Sequence, residues 1–207
     1  MAPFRFYLIT DRLRGRHDPA VVLPALAKAG LRALQIREKD LAPAALAALC
    51  GAWQAALAGG PPVELYLNDR ADLALSLGLT GVQLREDSLP LAGQAPALRE
   101  QLRYGVSTHD VAGVRAAAAA GAAFATFGPV FATPSKAAYG SPVGLTALAE
   151  AAAATDLPLY ALGGVTPERV GDCLAAGAAG VAAISAVWNV DDPVAALGRF
   201  ASALGGL

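Results

Sequence analysis

Apolar and polar positions alternate along this chain on two length scales. Short apolar runs bounded by polar or glycine residues recur at RFYLIT (5–10), RALQIR (32–37), VELYLN (63–68), GVQL (81–84), RYGVS (103–107), FATFG (124–128), LYALG (159–163) and AAISA (182–186). Between and after them lie longer alanine- and leucine-rich stretches with helical spacing, near 18–30, 43–58, 69–78, 91–102, 110–121, 144–155, 166–176 and 191–204. Short continuous apolar runs read as buried strands and longer periodic ones as helices. Asp18-Pro19, Thr166-Pro167 and Asp192-Pro193 place a capping residue before a proline suited to a first turn. Gly30, Gly78, Gly121 and Gly177 fall where helices should stop.

Strand and helix alternating in this way predict parallel strands joined by crossover helices. A length of 207 residues is at the low end for a closed (β/α)₈ barrel. The reading is an α/β chain forming one (β/α)₈ TIM barrel over residues 1–207, with an open doubly wound sheet as the competing architecture.

Composition narrows the setting. Apolar residues make up 55% of the chain, but alanine supplies much of that, and no run approaches the ~20 residues needed to span a bilayer. MAPFRFYLITD lacks the layout of a secretion signal, so a cytoplasmic location is expected. The net charge of −1 without a basic tract argues against nucleic-acid binding. Cys50 and Cys173 form no CxxC pair and read as buried small apolar residues rather than zinc ligands.

Chemistry in a parallel barrel gathers at the C-terminal ends of the strands, and polar residues collect there. The first run ends in Asp11, the second carries Gln35, Arg37 and Lys39, the third ends in Asn68-Asp69-Arg70, the fourth in REDS and the fifth in Ser107-Thr108-His109. The sixth opens into GPVFATPSKAAYGSPVGL, the seventh ends in Gly163-Gly164 and the eighth in Ser185. Residues two apart share a strand face. Gln35, Arg37 and Lys39 therefore point together into the mouth if the strand stays extended to Lys39. Two cations there suit a phosphorylated or pyrophosphorylated ligand; a solvated strand end paired with Glu38 is the plainer reading. Asn68-Asp69 suits a hard cation such as Mg²⁺, or a helix cap for ADLALSL. Thr133, Ser135 and Lys136 mark the long sixth loop as one that closes over a charged ligand. Gly163 and Gly164, with the amides near Thr166 and Ser185, read as a phosphate cradle. His109 is either an acid–base group or a partner of Asp110 in starting a helix.

Together these motifs resemble the thiamine phosphate synthase family, including its TenI-type relatives. YLITD, QIREKD, YLNDRADLAL, GVQL, GVSTH, FGPVFATPSK, ALGGV and AISAV follow one another in the family's order over nearly the whole chain. The resemblance implies a (β/α)₈ barrel that joins hydroxymethylpyrimidine pyrophosphate to hydroxyethylthiazole phosphate, with Mg²⁺. It implies that Gln35, Arg37 and Lys39 grip the pyrimidine pyrophosphate, that Asn68 and Ser107 contact the same substrate, and that Asp69 is a magnesium ligand. Thr133, Ser135 and Lys136 match a hydroxyl-rich thiazole phosphate site with a lysine for pyrophosphate, completed by Gly164 and Ser185. Arg37, Lys39 and Lys136 would be the catalytic cations. The implied partners are two small molecules; a homo-oligomer is compatible with the sequence but not read from it.

One motif departs. The family's fourth-strand pattern resembles GVHLGQxDLP, whose aspartate is a second magnesium ligand; here GVQLREDSLP puts Ser88 at that place and Asp87 one residue early. Asp87 is the candidate substitute. Two rival functions follow from the TenI resemblance. A thiazole tautomerase would carry a histidine where this chain has Pro129, and a regulatory barrel would bind phosphate ligands without turnover.

Overall fold

The computed structural model describes residues 3–133 and 141–207. Its strands are β1 (Phe6–Ile9), β2 (Ala33–Ile36), β3 (Glu64–Asn68), β4 (Gly81–Leu84), β5 (Arg103–Thr108), β6 (Phe124–Phe127), β7 (Leu159–Ala161) and β8 (Gly180–Ala183). They pair in parallel in chain order, and β8 returns to β1 to close the barrel. The helices are α1 (Pro19–Lys28), α2 (Pro43–Leu57), α3 (Ala71–Ser76), α4 (Pro96–Gln101), α5 (Val111–Ala119), α6 (Gly144–Ala153), α7 (Val170–Ala175), α8 (Ser185–Trp188) and α9 (Pro193–Leu204). The closed (β/α)₈ reading holds and the open sheet does not.

Local signals set most boundaries. The Asp18 and Asp192 carboxylates accept from the amides of Ala20 and Ala195, each 2.9 Å away, with proline in the first turn behind them. Asp110 caps α5 through Gly113, so the helix-starting role in STHD belongs to Asp110. The expected helix over 91–102 is a 3₁₀ turn at Leu91–Gly93 followed by α4. Pro96 explains the break, because the residue before a proline is pushed out of the helical region and Ala95 is extended. The expected eighth strand is also corrected: β8 lies at Gly180–Ala183, and Ser185 opens the four-residue helix α8.

The barrel interior fills by size complementarity. Tyr7, Tyr66, Phe124 and Tyr160 point inward, and Phe4, ahead of β1, stacks on them at the N-terminal end. Their rings meet edge to face, as between Tyr66 and Phe124 at 5.2 Å. The other strands supply Ala33, Gly81, Gly105 and Ala182 at this level, with Gly180 just below. A Cβ on Gly105 would sit 2.4 Å from the Phe124 ring and 2.3 Å from Gln83 Oε1. Gly105→Ala is accordingly expected to destabilise the protein by about 3 kcal/mol, because overpacking an aromatic core displaces neighbours that have no free volume. Equilibrium urea unfolding measures this; a change below ~1 kcal/mol would contradict the packing described.

Outward-facing strand residues form the second core against the helices, including Leu8, Leu34, Leu67, Val82 and Phe127. Cys50 and Cys173 lie in it fully buried, as expected, and burial pushes both thiols up to about 11. Among the described residues no helix is long and apolar enough to cross a membrane.

Candidate active site

Moving two residues along each strand from the aromatic layer gives the next inward layer: Ile9, Gln35, Asn68, Gln83, Ser107, Thr126, Leu162 and Ile184. It is polar on β2 to β6 and apolar on the β7–β8–β1 side. Gln35 donates to Asn68 Oδ1 at 3.3 Å. Gln83 donates to Ser107 Oγ at 3.1 Å and lies 3.4 Å from Thr126 Oγ1. Gln83 Oε1 is buried and has no hydrogen-bond partner among the described residues. These groups form the floor of the mouth at the C-terminal ends of the strands. Gln35, Asn68 and Ser107, singled out from the sequence, belong to this one floor. Gln83 and Thr126 were missed, although their even spacing from inward-facing Gly81 and Phe124 carried the signal.

One step further out, strand parity places Asp11, Arg37, Arg85 and His109 over that floor. Arg37 is half-buried, and burial lowers its guanidinium from the usual arginine value against the opposing pull of Asp11 and Glu38. Arg14 and Arg85 also act on it, so three guanidinium groups share this side of the mouth. Lys39 does not complete the expected line. Extended structure ends at Ile36, and Lys39 is an exposed residue in the turn that follows.

Glu38 is the buried acid just beyond this strand, and sequence reasoning left it as a mere ion-pair partner. Leu34, Ile36 and Glu38 share outward parity, as do Leu8 and Thr10 on the neighbouring strand. Glu38 is 5% exposed. It accepts from the Thr10 hydroxyl at 2.6 Å and from the Arg12 amide at 3.2 Å. Thr10 Oγ1 in turn accepts from the Arg37 amide at 3.0 Å, which fixes the backbone that carries the Arg37 side chain. Arg12 bridges Glu38 and Asp40, with a 2.6 Å bond to Asp40. Burial raises the Glu38 carboxyl above its ordinary value, partly offset by the Thr10 and Arg12 bonds.

A raised folded pKa contributes stability that is complete below the unfolded value, about pH 4, and is lost as pH rises through the folded value. Glu38→Gln has no such loss. Its stability relative to the wild type is therefore expected to rise with pH across that window in denaturant melts, and a pH-independent difference would contradict this. Glu38→Ala strands the Thr10 hydroxyl and Arg12 amide and is expected to cost about 1–3 kcal/mol.

Asn68 and Asp69 are separated by a backbone switch. Asp69 has φ +68° and is the described non-glycine residue with positive φ. That region costs an L-residue of order 1 kcal/mol but is visited most readily by Asp and Asn. The Asp69 amide donates to Gln83 O at 3.0 Å. The switch breaks the alternation of β3, so the Asp69 carboxylate, not the Arg70 side chain, meets the mouth. Arg70 instead pairs with Asp72 at 2.6 Å. Asp69 lies 3.4 Å from Arg85 Nη2, and Arg85 Nε lies 3.2 Å from Asp87. Ser88 does not point to the mouth: its hydroxyl accepts from the Arg85 amide at 2.9 Å and closes the turn that carries Asp87. Beside this turn, Glu86 Oε2 lies 3.6 Å from His109 Nε2, while His109 Nδ1 contacts the Gly128 carbonyl.

The glycines after β7 also have a packing reason that the sequence did not show. A Cβ on Gly163 would sit 2.6 Å from Pro129, and one on Gly164 would sit 2.6 Å from Ala132 O. Both have positive φ, and both let the loop after β6 lie directly on the loop after β7. Arg169 fastens the contact, donating to Gly164 O at 2.6 Å and stacking over the Phe131 ring. Ser185 is exposed at the first turn of α8, where Trp188 anchors the helix by donating to Ile9 O at 2.9 Å. A short extra helix after the last strand is a common barrel phosphate site. Thr133 is half-buried at the end of the described part of its loop; Ser135 and Lys136 lie outside the described residues.

Comparison with known proteins gives the family of this chain. Residues 6–187 match the family described as thiamine monophosphate synthase. The chain belongs to that family. A Geobacter sulfurreducens protein provisionally named a thiamine-phosphate synthase is 47% identical over 192 residues, covering 92% of this chain and 89% of its own length. The thiamine-phosphate synthase of Anaeromyxobacter dehalogenans is 42% identical over 189 residues, covering 91% of this chain and 84% of the relative. The fold agrees with thiamine phosphate pyrophosphorylase from Pyrococcus furiosus at a TM-score of 0.85, with 24% identity and 97% and 95% of the two chains covered. A 3-hexulose-6-phosphate synthase from Salmonella typhimurium shares the same barrel at a TM-score of 0.70 with 16% identity. The barrel alone therefore does not choose the chemistry.

Proposed function

We propose that this family member is a transferase, a thiamine phosphate synthase. It joins hydroxymethylpyrimidine pyrophosphate to hydroxyethylthiazole phosphate, giving thiamine phosphate and pyrophosphate in the cytoplasm. The observation that carries this reading is the polar floor of Gln35, Asn68 and Ser107 beneath half-buried Arg37. An amide and hydroxyl floor suits a heteroaromatic ring, and a desolvated guanidinium above it suits the pyrophosphate attached to that ring.

In this mechanism the pyrimidine methylene carbon breaks its bond to oxygen and the electron pair leaves with the pyrophosphate. The thiazole nitrogen supplies the new pair to that carbon and becomes the quaternary centre. No proton has to move at the reacting atoms. The protein's task is to place the two rings and hold the charge that grows on the leaving group. Arg37 holds that charge from the strand line, and the resemblance gives the same part to Lys39, in the turn after β2, and to Lys136. Gln35, Asn68 and Ser107 orient the pyrimidine. Thr133, Ser135, Gly164 and Ser185 hold the thiazole phosphate.

The residues fit a magnesium ion in number and type. Among the described residues no group of three or more His, Cys, Asp or Glu could hold a metal, but Asp69 and Asp87 already converge on one cationic group. Mg²⁺ commonly takes one or two carboxylates and completes its shell with water and substrate phosphate. Asp69 and Asp87 would hold it, and when bound it would neutralise charge on the pyrophosphate.

The tautomerase reading is weaker, because Pro129 offers no titratable group where that chemistry would place one. The test is direct: purified protein with both substrates and Mg²⁺ should release pyrophosphate and form thiamine phosphate.

A further inference from the structure

We propose that Arg85 is an internal competitor for the metal, its guanidinium standing between Asp69 and Asp87 so that a divalent cation binds the free enzyme only by displacing it. The inference rests on the reading of Asp69 as a metal ligand. Three observations carry it. Arg85 contacts both carboxylates, Nη2 at 3.4 Å from Asp69 and Nε at 3.2 Å from Asp87. The arginine is held in place by its own turn, with the Arg85 amide bonded to Ser88 Oγ at 2.9 Å and the Ser88 amide to Arg85 O at 3.2 Å. The Arg85 and Asp69 side chains are 35% and 33% exposed, so that contact is partly desolvated, while Asp87 reaches the arginine from the solvent side at 72% exposure.

The charge arrangement has a consequence for binding order. Arg37 lies close enough to Arg14 and Arg85 for both to disfavour its charge. A mouth that already holds these guanidinium groups is poorly disposed to a free dication. The same mouth attracts a polyanion. Metal then enters with the pyrophosphate group rather than ahead of it. Ser88 serves this arrangement: by closing the turn it sets Asp87 on the Arg85 side.

The probe is Mn²⁺, titrated into the free protein without substrate and read by the loss of its free electron-paramagnetic-resonance signal. Arg85→Gln is expected to bind Mn²⁺ about tenfold more tightly than wild type, since two partly exposed ion pairs no longer compete. Arg14→Gln removes an equal charge from the same rim and is expected to change the affinity by less than about twofold. Adding Asp69→Asn to Arg85→Gln is expected to abolish the gain. If Arg85→Gln binds no more tightly than wild type while Asp69→Asn still weakens Mn²⁺, the competitor role is overturned and the metal reading stands. Equal gains in Arg85→Gln and Arg14→Gln would also overturn it, since net charge would then account for both. If Asp69→Asn leaves Mn²⁺ binding unchanged in both backgrounds, the metal reading itself falls. Thermal melts of each variant confirm the fold, and Arg85→Met, which also removes the charge and is expected to give the same gain, serves where Arg85→Gln does not fold.

Discussion

Arg37→Ala is expected to lower kcat/KM for the pyrimidine pyrophosphate by about 100-fold or more, because truncating one partner of a partly desolvated charge pair costs several kcal/mol. Arg37 is the cation with the strongest structural reason to be in the mouth. Its amide is pinned by Thr10, Thr10 is pinned by Glu38, and its guanidinium is partly desolvated beside Asp11. Arg37→Lys keeps a charge but loses the fork, so it should restore only part of the loss. A kcat reduced as much as kcat/KM would mean that the contact strengthens as the leaving group departs. A loss confined to KM would mean that it holds substrate and transition state equally. An effect below ~3-fold in steady-state kinetics would remove Arg37 from the machinery.

Asp69→Asn is expected to cut turnover by about 100-fold or more and to erase its dependence on Mg²⁺ concentration. Asparagine is the informative substitution. It tolerates the φ of +68° that Asp69 adopts, so the charge goes while the backbone stays. Asp69→Ala removes the charge as well but sits poorly in that conformation. It should unfold about 1 kcal/mol more easily than Asp69→Asn. Comparing the two variants by Mg²⁺ titration of activity and by thermal melts separates the ligand role from the backbone role. An Asp69→Asn enzyme with wild-type response to Mg²⁺ would contradict the assignment.

The alternation of strands and helices was legible in the sequence because its signals are local. Each strand is a short apolar run, and Asp18, Asp110 and Asp192 cap helices within three residues of themselves. What was not legible depends on partners far along the chain. AAGVAAISA offers no polar boundary, so the extent of β8 is set by pairing with Tyr160 and Tyr7 rather than by its own composition. Lys39 leaves the strand line because the chain turns at Lys39-Asp40, where Asp40 is held by Arg12, 28 residues away. Asp69, rather than Arg70, faces the mouth because of a single backbone dihedral that parity alone would have assigned the other way. Gly163 and Gly164 were legible as necessary glycines, but their neighbours are Pro129, Phe131 and Ala132 on the adjacent loop. The stretch REDS was the least legible, since its arginine gathers the carboxylates that the sequence suggested for metal.

The most direct test of the account is a single reaction containing the purified protein, Mg²⁺, hydroxymethylpyrimidine pyrophosphate and hydroxyethylthiazole phosphate, with each substrate omitted in turn. The account predicts thiamine phosphate and pyrophosphate in equal amounts, formed only when both substrates are present. Absence of product with both present, or isomerisation of a thiazole carboxylate phosphate without any pyrimidine, would contradict it.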